Sequence, residues 1–279
     1  MSKLRSIIRQ IMPSPMRPAF SRTYGKLWKE WTWLTESDTK RSREQIRRLK
    51  NSFKGNVERC FIIGNGPSLR NMDLQPLKHE VTFGQNRIYL LFDKMGFETT
   101  FLVAVNYLVL RQFSEDFDGL SMPKFVQWES RNEFQNKENL LYVRFKLGPS
   151  IDNPSTLGTL PFSRNIPHRV WLGSTVTYVS MQIAYYLGFK QVILIGVDHN
   201  FTSKGEEGKV VISQGDDPNH FAPNYFGQGV QWQLPGLESS EVAYRIAKQF
   251  YEKNDREILD ATIGGKLNVF PKVEYTGLF

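Results

Sequence analysis

Short apolar runs alternate with longer amphipathic stretches through most of the chain. Six short runs indicate strands, and several of them are continuously apolar rather than alternating, which is typical of strands that helices cover on both faces. They predict strands over residues 57–63, 81–84, 100–105, 124–127, 140–144 and 191–197.

Three stretches show the period of an amphipathic helix, over residues 107–117, 175–187 and 238–252. In the second, the apolar residues share one face, and Gly188 stands where a helix-ending glycine belongs. The alternation of strands and helices predicts an α/β fold that is Rossmann-like. We expect a mostly parallel sheet with helices on both faces, plus a basic helical N-terminal extension.

Residues 1–55 differ from the rest of the chain in charge. They hold 14 of the 36 Lys and Arg residues but only 4 of the 28 Asp and Glu residues. The high pI of about 9.4 therefore belongs to this extension. Such a distribution argues against nucleic acid as a partner of the whole protein.

The extension contains two helical patterns. The first has one apolar helical face, formed by Leu4, Ile7, Ile8 and Ile11. We expect this helix to end at Pro13, Pro15 and Pro18. Residues 39–55 read as a short basic helix, with Ser42 as its cap and Gln45 as the partner of that cap.

Tryptophans lie among lysines in KLWKEWTWL, residues 26–34. This composition suits the headgroup layer of an anionic membrane, where each Lys or Arg contributes roughly 1 kcal/mol. The alternative is an arm that packs its apolar face on the core and leaves its charges in water.

Composition sets further limits. With 279 residues, of which 40% are hydrophobic, the chain can bury one sizeable core. Its single cysteine excludes an internal disulfide and a cysteine-rich zinc site. No run approaches the roughly 20 apolar residues of a membrane span, and Arg5 and Arg9 interrupt any signal-peptide core. We expect a cytoplasmic protein, with peripheral attachment to the inner face of the cytoplasmic membrane if the arm binds lipid.

Polar residues and glycines follow the predicted strands. The first is followed by Gly64-Asn65-Gly66-Pro67-Ser68, the second by Asn86, the third by Asn106 and the last by Asp198-His199-Asn200, while Gly173-Ser174-Thr175 precedes the long helix. Ligands of such sheets collect beyond the carboxyl ends of the strands. These amides and hydroxyls suit phosphate, ribose and base edges, and they include no carboxylate pair of the kind that glycosidases or two-metal hydrolases need.

The turn at residues 64–68 has the chemistry of an anion nest. Glycines allow close backbone approach, and Pro67 suits the first position of a short helix whose free N–H groups favour phosphate. The alternative is a turn that only joins strand to helix. It is neither a Walker loop nor a GxGxxG loop, since Leu69 takes the place of the third glycine. Ser174 or Thr175 can bind an anion in the same way or form an ordinary N-cap. Arg87 and Lys266 are candidates to neutralise phosphate.

The candidate catalytic residues are His220 and Asp198. An imidazole near its usual pKa can take a proton from an acceptor hydroxyl, although His220 also fits a structural role in its loop. Asp198 can bind ribose or a metal, or cap the loop. Asp216 and Asp217 can meet Mg²⁺ or be solvated.

The order of strand-GNGPSL, strand-Asn86, strand-Asn106, Gly173-Ser174-Thr175-helix and ILIGVDHNF resembles bacterial sialyltransferases of the Campylobacter type. It also resembles the broader 6-hydroxymethylpterin diphosphokinase MptE-like family, over about residues 56–260. The resemblance implies that Asn65, Asn86 and Asn106 contact a CMP-sugar and that Ser174 and Thr175 lie near its nucleotide. It implies His220 as the base. The family's tyrosines after its GID segment are replaced here by His199-Asn200-Phe201.

We therefore expect residues 1–55 to form a basic, Trp-rich extension and residues 56–279 a nucleotide-binding transferase domain. The expected function is glycosyl transfer in surface-glycan synthesis. The donor would be a nucleotide-activated sugar, with a CMP-linked sugar as the candidate, and the acceptor a glycan or lipid-linked glycan. The alternatives are pyrophosphate transfer from ATP to a pterin alcohol, or nucleotide binding without catalysis. No cofactor is required in this scheme, and Mg²⁺ is optional. The predicted ligand-binding residues are Gly64, Asn65, Gly66, Ser68, Asn86, Asn106, Gly173, Ser174 and Thr175.

Overall fold

The computed structural model describes residues 17–146, 161–202 and 205–279. The strands are β1 Arg59–Ile63, β2 Thr82–Gln85, β3 Phe101–Ala104, β4 Lys124–Gln127, β5 Leu140–Val143, β6 Phe145–Lys146, β7 Val170–Trp171, β8 Gln191–Ile195, β9 Val210–Ile212, β10 Gln231–Gln233 and β11 Glu257–Asp260. The α-helices are α1 Arg17–Thr35, α2 Ser37–Arg48, α3 Phe92–Met95, α4 Tyr107–Gln112, α5 Ser114–Asp118, α6 Val176–Leu187 and α7 Leu237–Glu252. Short 3₁₀ helices lie at Pro67–Asn71, Gln75–His79, Ile88–Leu91, Trp128–Ser130 and Tyr275–Leu278.

Seven strands form one sheet in the order β11-β8-β1-β2-β3-β4-β5, and every pair in it is parallel. The predicted α/β, Rossmann-like fold is thus confirmed. β11 was not predicted, because Glu-Ile-Leu-Asp is short and mixes charge with apolar residues. The single helix predicted over residues 107–117 is divided at Phe113 into α4 and α5.

The first strand, β1, lies near the middle of the sheet, and the direction in which further strands are added across the sheet reverses once. From β1 it builds outward through β2, β3 and β4 to the edge strand β5, and then returns to place β8 on the other side of β1. The reversal leaves a crevice between β1 and β8 at their carboxyl ends. In open parallel sheets this crevice is the place where ligands bind.

Apolar layers cover both faces of the sheet. On one face α6 and α7 pack with residues such as Tyr178, Met181 and Tyr251, all buried. On the other face the 3₁₀ helices supply Leu69 and Leu77. Strands covered on both sides read as continuous apolar runs, which is why six of the seven were visible in the sequence.

Helix α2 covers the edge strand β5. The backbone N–H of Tyr142 donates to Ser42 Oγ at 2.5 Å, and the Trp128 indole N–H donates to Thr39 Oγ1 at 3.0 Å. The predicted capping role of Ser42 is wrong, because the helix begins at Ser37 and turns Ser42 toward the sheet. An edge-strand amide that would otherwise be open is thereby satisfied.

Helix α1 is fixed to the same side of the protein. Trp33 is buried edge-on against Trp128, with ring centroids 5.6 Å apart. Glu30 accepts two hydrogen bonds from Arg144, at 2.7 and 2.8 Å, and these bonds hold the pKa of Glu30 below its usual value although burial opposes the shift. Pro18 lies in the first turn of α1, where proline is tolerated, and the helix that it was predicted to end lies outside the described residues.

The apolar face predicted at residues 4–11, with Pro13 and Pro15, lies outside the described residues. Among the helices that the structure describes, none is long and apolar enough to span a membrane. The predicted division of the chain at residue 55 stays a prediction.

Replacing Trp33 by alanine should destabilise the protein by about 3–5 kcal/mol, because the change leaves a cavity beside Trp128. The matched change Trp31→Ala, two residues away on the exposed face, should cost less than about 0.5 kcal/mol. Urea unfolding followed by circular dichroism measures both. Equal losses for the two variants would show that α1 does not dock through Trp33.

Candidate functional site

A cleft opens at the crevice between β1 and β8. Its empty volume is about 720 Å³, counted together with the part that is open to solvent. Its walls come from the loops after β1, β2 and β8, the first turn of α6, the start of α7 and the segment that carries His220. Six of the predicted ligand-binding residues line it, and so do both predicted catalytic residues: Gly64, Asn65, Gly66, Asn86, Ser174, Thr175, His220 and Asp198.

The loops after β1 and β8 pack backbone against backbone. The Gly66 N–H donates to the Gly196 carbonyl at 2.9 Å, and the Gly64 N–H donates to the Ile195 carbonyl at 2.8 Å. A Cβ atom at Gly64 would collide with the Gly196 carbonyl. Glycine is therefore needed here for the close approach of the two loops, which forms the floor of the cleft.

Asp198 joins these loops through its side chain. Its carboxylate accepts the Ser68 N–H at 3.0 Å and the Ser68 hydroxyl at 2.7 Å. Burial raises the pKa of Asp198, and the bonds from Ser68 oppose that shift only in part. The donors of Ser68, which the sequence suggested for phosphate, are thus bonded to a carboxylate of the protein. Asp198 caps the loop, which is one of the roles considered for it from the sequence.

Asn65 and Asn86 line the cleft, and each has an amide oxygen without a partner. The Oδ1 atom of each is buried and has no hydrogen-bond partner within the described residues. The backbone of each is fixed, because the Asn65 carbonyl accepts the Phe221 N–H at 2.9 Å and the Asn86 N–H donates to Val103 at 3.0 Å. A buried acceptor without a partner costs about 1–3 kcal/mol. Two of them in one cleft point to a ligand with hydrogen-bond donors.

The start of α6 forms the side of the cleft. Thr175 Oγ1 accepts the Thr177 N–H at 3.2 Å, so Thr175 is the N-cap, and the same oxygen lies 3.2 Å from the Tyr244 hydroxyl. Ser174 is exposed, with φ at 60°. Gly173 lies behind it, close to the Tyr178 ring.

Asn106 lies outside this cleft and lines a neighbouring one. Its Oδ1 atom accepts the N–H groups of Leu108 and Val109, at 2.9 and 3.3 Å, and so caps α4. Its Nδ2 atom donates to Gln233 of β10 at 3.1 Å. The two clefts share Asn86, Ser174 and Thr175, among others, and the second contains Gln127 at the end of β4.

His220 forms a buried pair with Asp217. The His220 Nδ1 atom lies 2.8 Å from Asp217 Oδ2, and the ring stacks on Tyr225 at 4.0 Å between centroids. Asp217 is buried, so the prediction that it is solvated is wrong; the Asn219 N–H, at 3.0 Å, also holds its carboxylate. A carboxylate at Nδ1 favours the tautomer in which Nε2 accepts a proton.

Two arginines hold the loop that carries His220. Arg70 donates to the carbonyls of His220 and Phe221 at 2.7 and 2.8 Å. Arg87 donates to the Tyr225 carbonyl and packs 3.6 Å from the Phe113 ring centroid. The prediction that Arg87 neutralises a phosphate is therefore wrong, because its guanidinium is buried between aromatic rings and a carbonyl.

Tyr244, which comes from α7, lies in the cleft wall and was not predicted there. Gln85 is buried in the same wall, and His199, which follows the last predicted strand, pairs with Glu241 at 3.1 Å between Nε2 and Oε1. The amphipathic pattern of α7 predicted that its apolar face packs on the core, but it did not indicate which end of the helix borders the cleft. Within residues 17–146, 161–202 and 205–279, no three His, Cys, Asp or Glu residues are grouped to hold a metal ion.

The variant Asp198→Asn should gain stability relative to the wild type as pH rises. The folded state raises the carboxyl pKa above its ordinary value of 3.8, so the cost of burying the charge is absent below that value and develops as pH rises through the folded-state pKa. Urea unfolding at several pH values between about 4 and 7 measures this difference. The exposed Asp216→Asn is the control and should show no such trend. A difference that stays flat with pH for Asp198→Asn would contradict the burial of its charge.

Comparison with known proteins gives a family model and one solved structure with a weak similarity. The family model for 6-hydroxymethylpterin diphosphokinase MptE-like proteins matches residues 32–204. No curated protein matches the chain. A solved structure, the MAf glycosyltransferase from Magnetospirillum magneticum AMB-1, is 18% identical with a TM-score of 0.49. That similarity covers 85% of this chain and 38% of the other. Because the family model spans more than half of the sequence, the chain belongs to the 6-hydroxymethylpterin diphosphokinase MptE-like family.

Proposed function

We propose that the protein is a glycosyltransferase that takes its sugar from a nucleotide-activated donor, with a CMP-linked sugar as the first candidate. The acceptor would be a hydroxyl of a glycan or lipid-linked glycan in surface-glycan synthesis. The observation that carries the proposal is the His220–Asp217 pair on the wall of a cleft that also holds the unpartnered oxygens of Asn65 and Asn86. The sequence resemblance to sialyltransferases of the Campylobacter type supports the same chemistry.

The donor would bind through its nucleoside and its phosphate separately. Ribose hydroxyls and the exocyclic amine of cytosine are donors, and they can satisfy the amide oxygens of Asn65 and Asn86. The phosphate would lie at the start of α6, where the Ser174 hydroxyl and the positive end of the helix favour an anion. The sequence suggested phosphate sites at residues 64–68 and 173–175, and we favour the second because Asp198 occupies the donors of Ser68.

The acceptor would enter from the neighbouring cleft, which meets the first at Asn86 and Ser174. Nε2 of His220 would take the proton of the acceptor hydroxyl. The acceptor oxygen would then bond to the anomeric carbon while the bond from that carbon to the phosphate oxygen breaks, and the nucleotide leaves with the electron pair. Asp217 would stabilise the imidazolium that forms. No metal is needed in this scheme, and Mg²⁺ stays optional.

Thermal shifts with CMP, UDP, GDP and ATP, each with and without Mg²⁺, test the proposal. Stabilisation by a nucleoside mono- or diphosphate without metal is the expected result. A response to no nucleotide would reject it.

The variant Asn65→Asp should weaken nucleotide binding by about tenfold, because a carboxylate replaces a neutral acceptor near an anionic ligand. Its control is Asn71→Asp, an exposed change at the end of the 3₁₀ helix that follows the same loop. Isothermal titration calorimetry with the nucleotide that gives the largest thermal shift measures both. Equal affinity of the two variants would exclude Asn65 from the binding site.

The variant His220→Asn should lower kcat by about 10²- to 10⁴-fold with little change in nucleotide affinity. Asp217→Asn should also lower kcat and should change the pH profile, because Nδ1 loses its anionic partner. The matched control Asp216→Asn, next along the chain but exposed, should leave both unchanged. Donor-dependent glycosyl transfer over a range of pH is the measurement. Normal kcat in His220→Asn would remove the residue from the chemistry.

The family description favours one second candidate, which is transfer of pyrophosphate from ATP to a pterin alcohol. Stabilisation by ATP with Mg²⁺ alone, and formation of AMP from ATP in the presence of 6-hydroxymethylpterin, would identify it. Nucleotide binding without turnover of either substrate pair would indicate a binding protein.

A further inference from the structure

Helix α1 has an apolar face that the described part of the protein leaves uncovered. Leu27, Trp31 and Leu34 follow the i, i+4, i+7 spacing and are 64%, 52% and 52% exposed. Trp28, at 37%, stacks on Trp31 with ring centroids 4.9 Å apart. Four of the ten large apolar side chains that are exposed in the described residues therefore lie on one helix. Trp33 points the other way and is buried, so this face is not needed for docking α1 to the core.

The charges around this face are positive. Lys26 and Lys29 are exposed and form no salt bridge with any residue that the structure describes. The one acid of residues 23–35, Glu30, is engaged by Arg144 and Arg169 at 2.7 and 3.3 Å. The apolar face is thus bordered by cations without compensating anions of its own.

Helix α1 is attached beside the carboxyl ends of two strands. Trp33 packs on Trp128 and Glu30 bonds to Arg144, residues that directly follow β4 and β5 at their carboxyl ends. Gln127, the last residue of β4, lines the second cleft. Helix α1 is therefore held at the edge of the sheet where both clefts open.

We infer that this face of α1 docks into the headgroup layer of an anionic lipid bilayer. Tryptophan rings are favoured at that depth, the leucines reach the acyl boundary, and lysines are attracted to anionic lipid. A second copy of the chain fits less well, because pairing two such faces would bring their lysines together. The inference does not depend on the proposed reaction, although it would bring the clefts close to acceptors that are anchored in lipid.

Co-flotation of the full chain with vesicles tests the inference. The probes are vesicles of phosphatidylglycerol with phosphatidylcholine and vesicles of phosphatidylcholine alone. The wild type should float with the anionic vesicles and much less with the neutral ones. The double variant Trp28→Ser with Trp31→Ser should bind about tenfold more weakly. Lys26→Glu with Lys29→Glu should bind roughly 30-fold more weakly.

Matched controls remove the same kind of group elsewhere. Leu90→Ser with Ile263→Ser replaces two other exposed apolar residues, and Lys209→Glu with Lys253→Glu reverses two other exposed charges. Both should bind vesicles nearly as the wild type does. Circular dichroism checks that every variant is folded. Nucleotide thermal shifts of the α1 variants should match the wild type, so a failure of lipid binding and a failure of the proposed function are distinguishable.

Several results would overturn the inference. One is that the α1 variants float with anionic vesicles as well as the wild type does. This includes the case in which only removal of residues 1–16 abolishes flotation. Another is equal flotation with neutral and anionic vesicles. A third is self-association that the tryptophan variants abolish, without vesicle binding, which would assign the face to a second copy.

Discussion

The candidate site depends on the close backbone contact between the loops that follow the two central strands, β1 and β8. Gly64 and Gly66 lie directly against Gly196, where a side chain would collide with backbone or with Leu69. Two hydrogen bonds from this segment to the end of β8 fix the contact, and the carboxylate of Asp198 joins the loops again at Ser68. The asparagine between the two glycines, Asn65, is consequently held in the wall of the cleft, and its amide oxygen is buried without a partner. Anything that separates these loops would remove the floor of the site.

A second set of contacts fixes the side of the cleft that carries His220. His220 lies in a long loop between β9 and β10, and such loops hold a side chain in place only when other parts of the protein bind them. Here the Phe221 N–H bonds to Asn65, Arg70 binds two successive carbonyls, and Arg87 binds Tyr225. The loop is therefore attached to the same β1 turn that presents Asn65. Ligand contacts and the proposed base share one support.

The fold could be predicted from the sequence because buried parallel strands and amphipathic helices leave strong local patterns. Asn65, Asn86 and Ser174 were predicted to lie together, since the carboxyl ends of neighbouring strands meet at one edge. His220 was added to them only through the sequence resemblance. What the sequence could not show is which donors are already used. Asp198 bonds to Ser68, which lies 130 residues away in the sequence. The amide oxygen of Asn106 caps α4, and its amide nitrogen donates to Gln233. Such pairings depend on tertiary contacts that leave no periodic trace.

The local sequence also could not show that residues of the same type have different surroundings. Asp216 and Asp217 are adjacent in a Gly- and Asn-rich segment, yet one is exposed and the other is buried against His220. Arg87 follows a strand end, as a phosphate ligand would. Its guanidinium instead packs on the aromatic ring of Phe113 and donates to the Tyr225 carbonyl. In both cases the surroundings, contributed by distant segments, decide the chemistry of the side chain.

The central claim is that the side-chain amides of Asn65 and Asn86 contact a bound nucleotide. The most direct test is NMR of the deuterated protein, with side-chain amide signals of asparagine followed during titration with CMP. We expect the signals of Asn65 and Asn86 to shift together and saturate, while that of the exposed Asn71 stays in place. Saturable binding of CMP that leaves both signals unmoved would contradict it.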